Sequence, residues 1–212
     1  MKTTLNAILH AERSLITGKR NSGKTTFLFD IANYLQGQME VFIIDSATWH
    51  KSKSLIYKIN ESFKDNVCVW STYKKKKFHT FIDETKQSIK CFDVAHDLEI
   101  AHLIKERAKR QTNKIQILSD ESRAKYRRVA TEILLFLLNR PYTSTCCILL
   151  DEIELDARII KKSNFISNKC KLYPKYIFSS LHPETLQTEK DRFYEDFSII
   201  NLQDRSAIYC AE

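Results

Sequence analysis

Gly18-Lys19-Arg20-Asn21-Ser22-Gly23-Lys24-Thr25-Thr26 is the stretch on which the reading of this chain turns. It fits G-x-x-x-x-G-K-[ST], and it holds two of the only three glycines in 212 residues. A backbone that wraps a phosphate chain needs residues able to take φ > 0 and to present consecutive N–H groups. It also needs a lysine long enough to reach the terminal phosphates and a hydroxyl for Mg²⁺. The stretch therefore predicts that Gly18, Asn21, Ser22, Gly23, Lys24, Thr25 and Thr26 bind the phosphates of ATP, with the Thr25 hydroxyl on Mg²⁺. The flanks agree with this prediction. Arg13-Ser14-Leu15-Ile16-Thr17 reads as a short strand entering the loop, and Thr26 to Leu35 as a helix leaving it, whose N-terminus adds its own partial positive charge.

A second signal lies far downstream. Cys146-Cys147-Ile148-Leu149-Leu150-Asp151-Glu152 is an apolar run closed by two acids. In an open α/β sheet, ligands collect at the C-terminal edge of the strands, so Asp151 is the expected Mg²⁺ carboxylate and Glu152 the expected base for the attacking water. Lys175-Tyr176-Ile177-Phe178-Ser179-Ser180 reads as the next strand, and His182 after it is a candidate to bond the γ-phosphate. The segment Leu118-Ser119-Asp120-Glu121-Ser122 precedes a helical pattern over Tyr126 to Asn139. By itself it reads as an N-cap and first turn.

Bulk properties narrow the setting. The chain length suits one α/β domain over 1–212. No apolar run approaches the eighteen or so residues of a bilayer span, and the start lacks the apolar core of a secretory signal. A cytoplasmic location is the expectation, free or peripheral to the inner side of the cell membrane. The six cysteines have no zinc-like spacing and read as free, mostly buried thiols. The formal charge of +8 favours an anionic partner, nucleic acid or phospholipid headgroups.

The order of these elements from Leu15 to about Ala211 resembles an ATP-binding cassette (ABC) ATPase. Leu118-Ser119-Asp120-Glu121-Ser122 occupies the place of that family's LSGGQ element, Asp151-Glu152 that of its acidic pair, and His182 that of its switch histidine. Glu195 to Leu202 resembles the closing strand, and Val69-Trp70-Ser71 is similar to the "SWP" found where other cassettes carry a glutamine loop. Asp151-Glu152-Ile153-Glu154-Leu155-Asp156-Ala157-Arg158 looks like a shortened "DEITAVGDARF" of capsular polysaccharide exporters.

The resemblance implies a P-loop NTPase fold, mainly parallel, with a helical insertion over about 78–139. It also implies an ATPase subunit of a polysaccharide exporter, acting as a homodimer beneath a transmembrane permease and beside anionic lipid. Ser119 of one copy would then close on the ATP of the other. Glu121 departs from the pattern: the family has glycine there, and a carboxylate would repel the γ-phosphate and weaken hydrolysis. The alternative is a DNA-translocating or genome-packaging ATPase of the FtsK/HerA type. It draws on the net charge, on the strand Val41 to Asp45 that closely follows the loop's helix, and on Ser179-Ser180 before a turn.

Overall fold

A computed structural model describes residues 13–19, 21–45, 54–71, 77–94, 112–140, 145–151, 175–180 and 198–202. They form an α/β domain around one seven-stranded sheet. The strands are β1 (Arg13–Thr17), β2 (Glu40–Asp45), β3 (Val67–Ser71), β4 (Ile89–Asp93), β5 (Cys146–Asp151), β6 (Lys175–Ser180) and β7 (Ser198–Asn201). Their order across the sheet is β3-β4-β2-β5-β6-β1-β7, and every adjacent pair is parallel. Parallel neighbours need crossover connections, so helices must cover the faces. The helices are α1 (Lys24–Leu35), α2 (Leu55–Ser62), α3 (Phe78–Glu84) and α4 (Thr112–Asn139).

Burial on both faces explains why the central strands are unbroken apolar runs. Along β2, Val41 and Ile43 join Cys147 and Leu149 of β5 in a cluster with Phe27, Leu28, Ile31 and Ala32 of α1 and Leu55, Ile56 and Ile59 of α2. The intervening Phe42 and Ile44, with Ile148 and Leu150, pack instead against Phe81 and Ile82 of α3 and Ala130, Ile133, Leu134 and Leu137 of α4. The two sets alternate with the period of a strand, and the helical sets repeat at three and four residues. Phe92 of β4 gathers this second face: Phe42 stacks 6.4 Å from it and Phe81 meets it edge-on at 5.6 Å.

The segment from 78 to 139 is not the purely helical insertion that the sequence suggests. It contributes β4, which lies inside the main sheet between β3 and β2. Ile89-Lys90-Cys91-Phe92-Asp93 escapes strand patterning because Lys90 occupies a core position, 4% exposed. The lysine is tolerated there because Glu40, on the neighbouring β2, accepts from its ammonium, which also lies 5.5 Å from the centre of the Phe42 ring.

Removing one partner of such a pair leaves an uncompensated charge. Glu40→Gln should therefore cost about 1–3 kcal/mol in urea unfolding, below the fully buried limit because Glu40 keeps contact with water. Replacing both, Lys90→Met with Glu40→Leu, should recover most of that loss. A Glu40→Gln protein as stable as the parent would show that the pair contributes nothing.

Among the described cysteines, Cys91, Cys146 and Cys147 are buried and Cys68 is partly so, all as free thiols. Cys170 and Cys210 lie outside the described residues.

Candidate phosphate-binding site

The loop predicted to hold phosphate leaves β1 and enters α1 in a wrapped conformation. Gly18, Asn21 and Gly23 have φ of 151°, 66° and 90°, so three of its residues take left-handed backbone that turns N–H groups inward. Gly18 is fixed by space as well: a Cβ there would stand 2.5 Å from Ser22 Oγ. That hydroxyl is buried with no hydrogen-bond partner among the described residues.

Gly23 is the N-cap of α1 and offers no side chain to cap it, and the first turn carries no acid. A helix start without cap or carboxylate keeps its partial positive charge for an external anion. This is the observation that fits the loop to a phosphate chain.

Lys24 begins α1 and turns back over the loop. Its ammonium is buried and donates to the carbonyls of Gly18 at 3.0 Å and Lys19 at 3.1 Å, while Ser22 N donates to Lys19 O at 3.1 Å. The lysine thus braces the loop closed from within, holding a charge ready at its centre. Thr25 and Thr26 follow on the first turn of α1, half-buried and exposed respectively.

Asp151, 4% exposed, ends β5. One strand, β6, separates β5 from β1, so the carboxylate stands two strand spacings, roughly 10 Å, from the strand that feeds the loop. The intervening strand brings its polar end to the same edge: Ser180 is registered with Thr17, and Phe178 with Leu150. Glu152 and His182, predicted as base and phosphate sensor, lie outside the described residues.

Two acids that sequence reading passed over join Asp151. Asp45 is registered with Asp151 on one side and with Asp93 on the other, so three carboxylates cross β5, β2 and β4 in one row on the α1 and α2 face. The signal was present for Asp45, since β2 like β5 is an apolar run ending in Asp, whereas Lys90 interrupts the run that leads to Asp93. The row raises the negative potential of this edge. Burial, followed by the charges of Asp45, Cys68 and Asp93, pushes the Cys91 thiol far above its ordinary range. Among the described residues these acids do not converge into a metal cage.

Asp45 also has a structural task. Its Oδ2 accepts from Ile56 N at 3.2 Å, and Ser54 Oγ accepts from Tyr57 N at 3.1 Å, so the start of α2 is capped from β2 and from its own N-cap.

Ser119, which the resemblance assigns to the ATP of a second copy, lies within a helix. It is the eighth residue of α4, a continuous helix of 28 residues, so Leu118 to Ser122 form neither an N-cap nor a loop. Backbone N–H groups within a helix are committed to the carbonyl four residues back, leaving none to present to a phosphate.

No family model matches this chain, and no curated protein matches it significantly.

Proposed function

We propose that this chain is a P-loop ATPase that drives movement of nucleic acid, a DNA-translocating or genome-packaging motor of the FtsK/HerA kind. The ATPase half of the reading is supported by the wrapped loop, the uncapped start of α1, the buried Lys24 and the acid two strands away. When bound, Mg²⁺ would be held by Thr25 and Asp151 and would neutralise charge developing on the phosphates. Lys24 binds the terminal phosphates, and Glu152 is the residue proposed to take the proton of the attacking water.

The observation that carries the choice of motor over transporter subunit is the course of α4. An exporter ATPase of the cassette type works by presenting the backbone of the Leu118 to Ser122 segment to a neighbour's ATP, and in this chain that backbone is consumed by helix. The placement of Val69-Trp70-Ser71 points the same way. Its strand β3 is the sheet edge, five strand spacings or about 24 Å from β1, which is remote for a loop that must touch the γ-phosphate. By contrast β2 begins five residues after α1 ends, the close succession on which the motor reading draws. The charge of +8 supplies the attraction to a polyanion. Among the described residues no helix is long and apolar enough to cross a membrane.

ATP turnover measured with duplex DNA, with anionic liposomes, and with neither tests this. DNA should raise turnover about tenfold near 150 mM salt, with DNA affinity falling steeply as salt is added, while liposomes change nothing. Stimulation by liposomes but not DNA would return the chain to the exporter class and to its permease partner. Absence of any turnover would remove the ATPase assignment.

A further inference from the structure

Lys58, thirty-two residues beyond Thr26 in sequence, donates from Nζ to Thr26 Oγ1 at 3.2 Å. A cation is electrostatically disfavoured at the positive end of a helix, and here it sits on the first turn of one that has neither cap nor acid. The contact is exposed, but the backbone that carries Lys58 is held in place. Helix α2, which carries it, shares a core cluster with α1 through Leu55, Ile56 and Ile59, and Asp45 and Ser54 both fix its start. At its other end Phe63 stacks on Phe29 of α1 at 5.9 Å. The nearby carboxylate on the same helix, Glu61, is engaged by the hydroxyl of Tyr57. Two packed helices therefore hold a positive charge beside the uncapped start of α1, where a bound anion is favoured.

We infer that Lys58 is a second cation of the nucleotide site, contacting the phosphate chain beside Thr26 while Lys24 meets its terminal end. The inference rests on the phosphate-site reading above and adds a residue that the loop motif does not contain. The Thr26 hydroxyl, accepting from Lys58, keeps its own proton to donate to a phosphate oxygen. An oxygen bound by Thr26 lies within a small rotamer change of the Lys58 ammonium. Charge-assisted contacts of this kind are the strong ones in phosphate recognition. Because the contact is made to phosphates present before and after cleavage, it should act on binding more than on the chemical step.

The test is titration of the full chain with MgADP by calorimetry, together with saturation kinetics in ATP. Lys58→Gln keeps a donor on a stem two methylenes shorter and removes the charge, and it should weaken MgADP about tenfold and raise KM similarly, with kcat within twofold. Lys58→Arg should restore affinity to within threefold of the parent, and Lys58→Glu should bind more weakly than Gln. DNA affinity, measured alongside, should not move, which separates nucleotide phosphate from nucleic-acid phosphate as the partner. The inference is overturned if Gln and Glu leave Kd within twofold, if Arg fails as fully as Gln, or if only DNA binding weakens. A Lys24→Ala protein serves as the control. If it too binds MgADP normally, the phosphate site is misassigned; if it loses binding while Lys58 variants do not, Lys58 alone is misassigned.

Discussion

Lys24→Ala should lose nucleotide affinity by a hundredfold or more while remaining folded. The ammonium lies inside the wrapped loop, buried against the carbonyls of Gly18 and Lys19. Binding exchanges those neutral acceptors for phosphate oxygens. Two charge-assisted hydrogen bonds to a polyanion contribute roughly 3–4 kcal/mol, which is the expected loss of affinity. The fold is insulated from the change because α1 is anchored by Phe27, Leu28, Ile31, Ala32 and Leu35 on the sheet, none of which depends on the lysine. Loss of the two internal bonds should cost about 1 kcal/mol, a few degrees in Tm. Calorimetric titration with MgADP and a thermal melt on the same preparation check both halves. Undiminished binding by a folded variant would take the phosphate site away from this loop.

Asp151→Asn should lower ATP turnover about a hundredfold without lowering stability. The side chain is nearly the same size, so the end of β5 stays packed, yet it no longer offers the negative charge that a hard dication requires. The stability side follows from the register. Asp45 stands directly across from Asp151 on the same face, one strand spacing of about 4.8 Å away, and Asp93 continues the row. Like charges so placed repel, by an amount that water penetration reduces but does not remove. Neutralising one should leave Tm equal or raised. The Mg²⁺ dependence gives a further readout: MgADP should raise the Tm of the parent more than that of the variant, and excess chelator should abolish the difference. A variant that turns over normally would exclude Asp151 from the metal's shell, and a sharp fall in Tm would mean that its charge is needed by the fold.

These two residues differ in how they could be found. Lys24 stands in a contiguous motif whose every position has a local backbone reason, and the left-handed conformations of Gly18, Asn21 and Gly23 are of the kind the spacing demands. Asp151 was legible because an apolar strand ends on it. Asp45 ends an apolar run in the same way and Asp93 ends one that Lys90 interrupts, but nothing local says that these strands are neighbours. Lys58 gives no sequence signal at all: its only mark is to lie against Thr26, and the packing of α2 on α1 alone decides that.

The segment around Ser119 shows the converse, a local signal overruled. Ser-x-x-Ser before a helical pattern is a fair capping signature, but a cap contributes only about 1 kcal/mol. A helix already nucleated on the buried stripe Ala130, Ile133, Leu134 and Leu137 extends backward at little cost per residue, so α4 starts at Thr112. The sequence by itself determined the wrapped loop, the alternating apolar strands and hence a parallel α/β sheet, because those depend on φ preferences and on periods of two and 3.6 residues. Only the tertiary structure decided the strand order, the burial of Lys90 against Glu40, the row of three carboxylates and the place of Lys58. Each of those depends on which strand or helix lies beside which, a property of closure between distant segments that no local pattern encodes.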